Sequence, residues 1–333
     1  MGNSCIKQKN TIHPIKDNKS ENPDIPFFKP ENVIIDWEAK NKTQKYHWWP
    51  MYEKIEGDYV NNLYAKGGGL DKYDILFNTN STLYQIENYY REKDSTRKDA
   101  KWAGFCNNAS TLSCLYEYPK NDINVCHNQQ EILFTKKDIE ALMIVCSENA
   151  IKENIKLFFG DRNNSSYDNS NEPYPSEFLQ MLDILCKHEE PFVMDIDKDS
   201  AVWNYAFDKV IVTKHTNCEF VKDLDLDLDL DLDLDLDLDE NIVYYNFKIT
   251  SNAYPNSNQD LWGYINTYKK KEYECTKEGW VTDYHPDFLW KNFKIDSMWK
   301  GMSKINPEID ASIVYKIYKH SLNNSNSNIS LIC

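Results

Sequence analysis

The sequence predicts an α+β fold, with helices dominating the first half of the chain and strands the second. In the first half, apolar residues return at helical spacing from Phe105 through Ala109 and Leu112 to Tyr116. In the second half, stretches rich in β-branched and aromatic residues are typical of strands, and in one of them Phe192, Met194 and Ile196 alternate with Val193, Asp195 and Asp197. These strand-like stretches are 191–197, 201–215, 240–250 and 261–273.

Two further helices are expected before the strands begin. Thr135, followed by Asp138 three residues later, resembles a capping arrangement at a helix start. An apolar stripe then predicts the buried face of that helix. The stripe consists of Ile139, Leu142, Met143 and Cys146. Residues 162–174 are rich in Asn, Ser and Asp and indicate a loop, after which a helix is expected at about 176–187.

Composition suggests one large domain between two tails. Residues 1–30 are polar, contain Pro14, Pro23 and Pro26, and predict a flexible arm. The domain is expected over 31–320, with a helical lobe at about 31–190 and a β lobe at about 191–300. The Asn- and Ser-rich end, 321–333, predicts a disordered tail.

An acidic low-complexity insertion, 223–240, interrupts the predicted strands. It holds nine Asp and one Glu, alternating with Leu. Carboxylates at every second position repel one another and the repeat has no unique register, so a surface insertion is expected rather than a strand. The chain carries a net charge of −15, and without this insertion 43 acidic residues face 38 basic ones. This balance argues against a nucleic-acid partner, because phosphate binding needs a basic surface.

Nine cysteines at irregular spacing, with no CxxC pair, favour reduced thiols and give little support for a zinc site. We therefore expect a reducing, cytoplasmic environment and no metal or other cofactor. The sequence contains no run of 18 apolar residues, so no transmembrane helix is predicted. Gly2 and Cys5 could carry myristoyl and palmitoyl groups, which would place the protein at a membrane surface. Ile6 stands where the usual myristoylation pattern has Ser or Thr.

Cys106 is the candidate nucleophile. It follows the tight run from Trp102 through Gly104 to Phe105 and lies at a predicted helix start. Free backbone N–H groups and the helix dipole stabilise a thiolate there. We expect Gly104 to allow close approach of the substrate or a strained turn, and Trp102 and Phe105 to wall a pocket. The alternative is a buried structural cysteine.

A nucleophilic cysteine also needs a base, and the sequence offers seven histidines. His285 lies among aromatic and acidic residues after the strands, in the segment GWVTDYHPDFLW. From the residues alone, several other histidines compete with it. They are His47, His127, His188 and His215, whereas His13 and His320 lie near the two ends.

Five segments in fixed order resemble the transglutaminase elicitor family, first associated with oomycete cell-wall glycoproteins. HWWPMYEKIEGDYVNN with the later KYD is similar to its aromatic N-terminal part, and KWAGFCNNAS is similar to the run that ends in its active cysteine. AVWNYAFDKV, with Val202, Trp203 and Asn204, is similar to the start of the family's plant-recognised elicitor peptide, which opens Val-Trp-Asn. PFVMDID immediately upstream also resembles the family, and HPDFLW resembles its C-terminal signature. Tyr205 and Ala206 replace the family's Gln-Pro. The blocks span about 46–291.

The resemblance implies a papain-like, two-lobed thiol acyltransferase that joins a glutamine side chain to a lysine amine. Cys106 matches the active cysteine, and His285 would act as its base and acid. Asp195 is the preferred carboxylate to orient His285, with Asp287 and Asp283 as rivals. Trp102 and Trp203 would line the substrate site, where water has to be excluded from the thioester.

Two alternatives to a transglutaminase stay open at this point. A cysteine peptidase or amidase would use the same cysteine and histidine with water as the acceptor. An inactive, lipid-anchored interaction protein would use neither. Protein substrates with Gln and Lys side chains are the expected partners of the enzyme, and calcium dependence is not indicated by the sequence.

Overall fold

The computed structural model describes residues 32–91, 103–160, 173–196, 202–216, 242–270, 273–282, 286–293, 299–323 and 328–331. Within these residues the fold mixes helices and sheets, so the predicted α+β class is confirmed. Several predicted features lie outside the described residues. They are the N-terminal arm with Gly2 and Cys5, the loop 162–172 and the acidic insertion 223–240.

A five-stranded antiparallel sheet forms one side of the molecule. Its strand order is β1-β9-β10-β11-β12. The bounds are β1 Asn32–Glu38, β9 Lys209–Thr216, β10 Ile242–Thr250, β11 Gln259–Lys270 and β12 Tyr273–Trp280. The acidic insertion falls in the connection between β9 and β10, which pair as neighbours through Thr216 and Val243.

Helix α5, Pro175–Leu185, packs against this sheet and buries an apolar core. Phe178 of α5 meets the ring of Phe247 in β10, with 5.3 Å between the ring centroids. Pro175 at its first position favours the helix start, because Pro lacks the N–H that would be unpaired there. Glu177 in the first turn also favours it, because a negative charge is stabilised at the N-terminal end of the helix dipole.

A second, four-stranded antiparallel sheet lies beside the first helices, in the order β6-β13-β7-β8. The bounds are β6 Ile155–Gly160, β7 Phe192–Asp195, β8 Asn204–Phe207 and β13 Phe288–Asn292. Strand β7 is buried throughout, as expected of a strand covered on both faces. Phe192 and Met194 belong to the core under α5, whereas Val193 packs with Ala206 on the opposite face.

The remaining helices pack around α4 in a separate apolar core. The bounds are α1 Gly69–Phe77, α2 Ser81–Tyr89, α3 Cys106–Leu115, α4 Lys136–Asn154 and α6 Ala311–Asn323. The predicted cap of α4 is confirmed. Thr135 donates its hydroxyl to Asp138 at 2.7 Å, and the Asp138 N–H donates back to that hydroxyl at 3.2 Å.

The expected division into a helical first half and a β second half is wrong at both ends of the chain. β1 comes from the first half but is an edge of the five-stranded sheet, whereas α6 comes from the end and packs in the helical core. Neither position follows from local periodicity, because both depend on long-range pairing and packing.

Two small sheets complete the described elements. They are β2 Lys54–Ile55 with β3 Asp58–Tyr59, and β4 Ile123–His127 with β5 Gln130–Phe134 and β14 Asn328–Ser330. The expected disordered tail at 321–333 is therefore corrected. Strand β14 pairs in parallel with β4, and the N–H of Leu331 donates to the Cys126 carbonyl at 3.0 Å.

Candidate active site

Cys106 is the first residue of α3, as the sequence predicts. Phe105 is the residue before the helix, and its carbonyl accepts the Ala109 N–H at 2.9 Å, which begins the helical hydrogen-bond series. The Phe105 N–H donates to the Trp48 carbonyl at 2.6 Å and ties the helix start to the segment before α1. The first N–H groups of α3 have no partners within the helix, so this end favours negative charge.

Gly104 serves a different purpose from the one expected. A Cβ at this position would lie 2.1 Å from Cε3 of Trp48, so glycine leaves room for that indole. The backbone of Gly104 also forms a bridge with Pro50. Phe105 is 3% exposed and belongs to the helical core, so the expectation that it walls the pocket is wrong.

Val202, two residues before β8, and Asn204, the first residue of β8, contact the Cys106 sulfur. The thiol donates to the Val202 carbonyl at 3.5 Å, and Nδ2 of Asn204 donates to Sγ at 3.5 Å. Asn204 is 7% exposed, and its Oδ1 is a buried atom without a hydrogen-bond partner among the described residues. The sulfur therefore lies between the start of α3 and the start of β8.

Burial raises the pKa of the Cys106 thiol, and the nearby charge of Asp195 raises it further. Hydrogen bonds from the backbone and side chain of Asn204, and from the backbone of Asn107, oppose these effects. Because the raising contributions are larger, the resting group is a neutral thiol. A base has to remove its proton before it can attack a carbonyl.

Asp195 ends β7 and is fully buried. Its Oδ1 accepts the backbone N–H of Trp203 at 2.7 Å, across the connection between β7 and β8. The structure thus places Asp195 close to the residues that contact Cys106. It lies on the opposite face of β7 from Phe192 and Met194, as alternation along the strand predicts.

Cys106 opens onto a cavity of about 780 Å³. Most of its walls come from the segment 44–48 before α1, from the starts of α3 and α4, and from β8. The residues that line it are Gln44, Lys45, Tyr46, His47, Trp48, Cys106, Ala109, Ser110, Tyr118, Lys137, Glu140, Trp203, Asn204, Tyr205 and Tyr254. Trp203 lies in this wall, and its ring packs 5.3 Å from that of Trp48.

A second polar group lines the same cavity and was not singled out from the sequence. Glu140 in α4 is 2% exposed and accepts the backbone N–H of His47 on Oε1. Its Oε2 accepts the Tyr118 hydroxyl at 2.9 Å. A helical pattern marks Glu140 only as a polar residue within an apolar stripe. Its partners are 93 and 22 residues away in sequence, so local patterns do not reveal the contact.

Among the described histidines, His47 alone lines this cavity. Its Nε2 is buried and has no hydrogen-bond partner in the described part of the chain. Burial lowers the pKa of His47, and the charge of Lys137 lowers it further, so the ring is neutral at physiological pH. The other described histidines lie elsewhere; His127 contacts the Leu331 carbonyl, and His215 contacts Thr213.

The remaining predicted site residues are only partly placed. Trp102, Asp283 and His285 lie outside the described residues. Asp287, a rival for the orienting carboxylate, is 1% exposed and directly precedes β13. The structure therefore brings together Cys106, Asp195 and Trp203, to which it adds Asn204.

The described residues contain no group of three or more His, Cys, Asp and Glu side chains arranged to hold a metal ion. The six cysteines within them are free thiols. No helix among them combines the length and apolar character needed to cross a membrane.

Comparison with known proteins identifies a distant structural relative. No protein-family profile matches the sequence, and no curated protein matches it. Among solved structures, the crystal structure of the GP42 transglutaminase from Phytophthora sojae is similar, with a TM-score of 0.56 and 17% sequence identity. The match covers 87% of this chain and 92% of that one. The predicted resemblance to elicitor transglutaminases is thus confirmed at the level of the fold, and the chain has a transglutaminase-like α+β fold.

Proposed function

We propose that this protein is a protein-glutamine γ-glutamyltransferase of papain-like, two-lobed architecture. The observation that carries the proposal is the position of Cys106, at the start of a helix and on the wall of a large aromatic cavity. The fold similarity to a transglutaminase supports it. Carrying the activity over from fold alone would not be enough, because one fold hosts many reactions.

In the proposed reaction, the Cys106 thiolate attacks the side-chain carboxamide of a glutamine. The carbon–nitrogen bond breaks, a proton is added to the nitrogen, and ammonia leaves behind a thioester on Cys106. The amine of a lysine side chain then attacks the thioester carbonyl, and the carbon–sulfur bond breaks. An isopeptide bond and free Cys106 result.

The negative oxygen of each tetrahedral intermediate needs hydrogen-bond donors. Backbone N–H groups at the start of α3 are one source, and the Asn204 side-chain amide, 3.5 Å from the sulfur, is another. We assign Asn204 this role, which the sequence did not suggest. Asp195 lies beside the same residues and suits the role of orienting carboxylate.

His285 is the proposed general base, on the strength of its HPDFLW segment. His47 is its rival, because its ring lines the cavity next to Trp48. Replacing each by Asn separates them. We expect His285→Asn to lower kcat by at least about 10³-fold and His47→Asn to leave catalysis within about 10-fold. The reverse ranking would transfer the base role to His47.

Incorporation of a labelled primary amine into a glutamine-rich protein tests the function. Dansylcadaverine and N,N-dimethylcasein are suitable, with ammonia release measured in parallel. We expect incorporation by the wild-type protein, none by Cys106→Ala, and normal incorporation by Cys126→Ala, whose half-buried thiol lies in β4 and outside the cavity. Ammonia release without amine incorporation would instead assign an amidase. Neither reaction in the wild-type protein would favour the interaction-protein alternative.

A further inference from the structure

Glu140 is a buried carboxyl group that the acyl-transfer steps above do not use. It lies in the first part of α4 and lines the same cavity as Cys106. Three neighbouring residues, Trp203, Trp48 and His47, connect Glu140 to the surroundings of Cys106. Trp203, next to Asn204, packs 5.3 Å from Trp48, and the neighbouring His47 donates its backbone N–H to Glu140. The carboxyl group and the sulfur therefore face one space.

The hydrogen bonds of Glu140 leave acceptor sites unused. The His47 N–H and the Tyr118 hydroxyl each donate to one carboxylate oxygen, and the Trp49 indole makes a smaller contribution, whereas an ionised carboxylate offers about four acceptor sites. All of these donors are neutral. Within the described ranges, no Lys or Arg nitrogen lies within 4.0 Å of the Glu140 oxygens.

The charged and titratable groups that surround Glu140 do not neutralise it. Lys137, one turn earlier in α4, lies over the Trp49 ring at 5.3 Å from its centroid, and its charge is felt by Glu140 only at longer range. His47 is neutral, and Tyr118 keeps its proton because burial raises its pKa. Burial raises the pKa of Glu140 to about 7. A cation entering the cavity would stabilise the ionised form.

The aromatic walls of the cavity shared by Glu140 and Cys106 suit an alkyl chain that ends in a cation. Six tyrosine and tryptophan side chains line the cavity, namely Tyr46, Trp48, Tyr118, Trp203, Tyr205 and Tyr254. Long apolar stems of lysine side chains pack on such surfaces while the ammonium group reaches a polar partner. Aromatic faces also attract cations directly.

We propose that Glu140 binds the ammonium group of the acceptor substrate, so that the cavity selects primary alkylamines such as a lysine side chain. The inference rests on the proposed function for the identity of the substrate. It adds a specificity-determining residue and the class of molecule that this residue recognises.

The proton balance is compatible with this role. The bound ammonium gives one proton to the Glu140 carboxylate, and the neutral amine that results leaves the carboxyl group and attacks the thioester across the same cavity. When the carbon–sulfur bond breaks, the thiolate of Cys106 takes the second proton, which the new amide nitrogen releases. Glu140 then returns its proton to solvent.

A competition between two nucleophiles tests the proposal in the active protein. Cadaverine is a cation at neutral pH, whereas hydroxylamine is uncharged. We expect Glu140→Gln to lower kcat/KM for cadaverine at least 10-fold relative to hydroxylamine, mainly through KM. The matched control is Glu131→Gln, on an exposed position of β5, which should leave this ratio unchanged. An equal fall for both nucleophiles in Glu140→Gln would mean a purely structural role and would overturn the proposal.

Equilibrium binding to Cys106→Ala gives a second readout that needs no turnover. By calorimetry, cadaverine should bind at least 10-fold more tightly than 1-pentanol, and adding Glu140→Gln should reduce this preference below 2-fold. A protein that lacks transferase activity but keeps this preference would refute the proposed function and support the amine site. A Cys106→Ala protein with no preference for the cation would overturn the amine site even if Glu140→Gln does not fold.

Discussion

Two polar groups at the cavity differ in the hydrogen-bond donors that surround their buried ionisable side chain. One, which we call the cysteine group, consists of Cys106, Asn204 and Asp195. The other, the glutamate group, consists of Glu140, His47 and Tyr118. Burial disfavours the charged form in both, raising the pKa of the Cys106 thiol and that of Glu140. The cysteine group is built from the ends of a helix and two strands, whereas the glutamate group lies along the side of α4.

The difference indicates a division of roles. Cys106 has a helix start and the Asn204 amide beside it, so charge that would form there in the proposed reaction meets donors already in place. Glu140 has only neutral hydrogen-bond donors, chiefly the His47 N–H and the Tyr118 hydroxyl, and has a pKa of about 7. It is therefore better suited to receive a cation from outside than to stabilise an anion in the reaction.

The largest effect that sharpens this comparison is expected at Asn204. Replacing it by Ala removes the side-chain donor to the sulfur, and we expect kcat to fall about 10²–10³-fold, as for loss of an oxyanion donor. Because Asn204 does not contact Glu140, the preference for cadaverine over hydroxylamine should persist. Steady-state kinetics with both nucleophiles checks this. If Asn204→Ala lost the preference for cadaverine over hydroxylamine and kept kcat unchanged, the cysteine group and the glutamate group would not have separate roles.

The pH dependence of stability isolates the glutamate group. The carboxyl pKa rises from 4.5 to about 7 on folding, so its contribution is fully present below pH 4.5 and is lost as pH rises through 7. The full contribution of Glu140 protonation to the free energy of unfolding is about 3 kcal/mol. Groups facing Glu140 that also titrate or carry charge are His47, Lys137, Tyr46, Tyr118 and Tyr254.

Urea unfolding of the wild-type protein and Glu140→Gln, at pH 5 and at pH 8, measures this contribution. We expect the wild-type protein to lose about 2.5 kcal/mol more between these two pH values than the variant does, since pH 5 already lies above the unfolded pKa. Equal pH dependence in the two proteins would show that Glu140 titrates normally and would remove the contrast between the groups.

The smallest expected effect concerns the contact between Gly104, two residues before Cys106, and Trp48, the residue after His47. A methyl group at position 104 collides with the Trp48 indole, so Gly104→Ala should destabilise the fold by about 1–3 kcal/mol. In a Trp48→Ala background the collision disappears, and the same glycine replacement should cost much less. Unfolding of the four proteins in this double-mutant cycle measures the coupling. Additive effects would contradict the packing described here.

The sequence predicted those parts of the fold and site that depend on local patterns. The start of α3 at Cys106, the Thr135–Asp138 cap and the alternation that places Asp195 follow from spacing within a few residues. Trp203 was also expected in the substrate site, and it lines the cavity.

Long-range contacts account for what the sequence did not predict. The edge position of β1, the packing of α6 and the pairing of β14 each join residues far apart in the chain. Glu140 belongs to this class, because its role depends on a backbone N–H at residue 47. Gly104 was recognised as unusual, but only the structure shows that Trp48 is the reason.

Mass spectrometry of the acyl-enzyme tests the central claim most directly. The protein is mixed with a glutamine-containing donor peptide in the absence of amine, quenched with acid and digested. The account predicts that the peptide containing Cys106 gains the donor mass less ammonia, and that added cadaverine removes this adduct. Ammonia release with no adduct on Cys106, or an adduct on another cysteine, would contradict it.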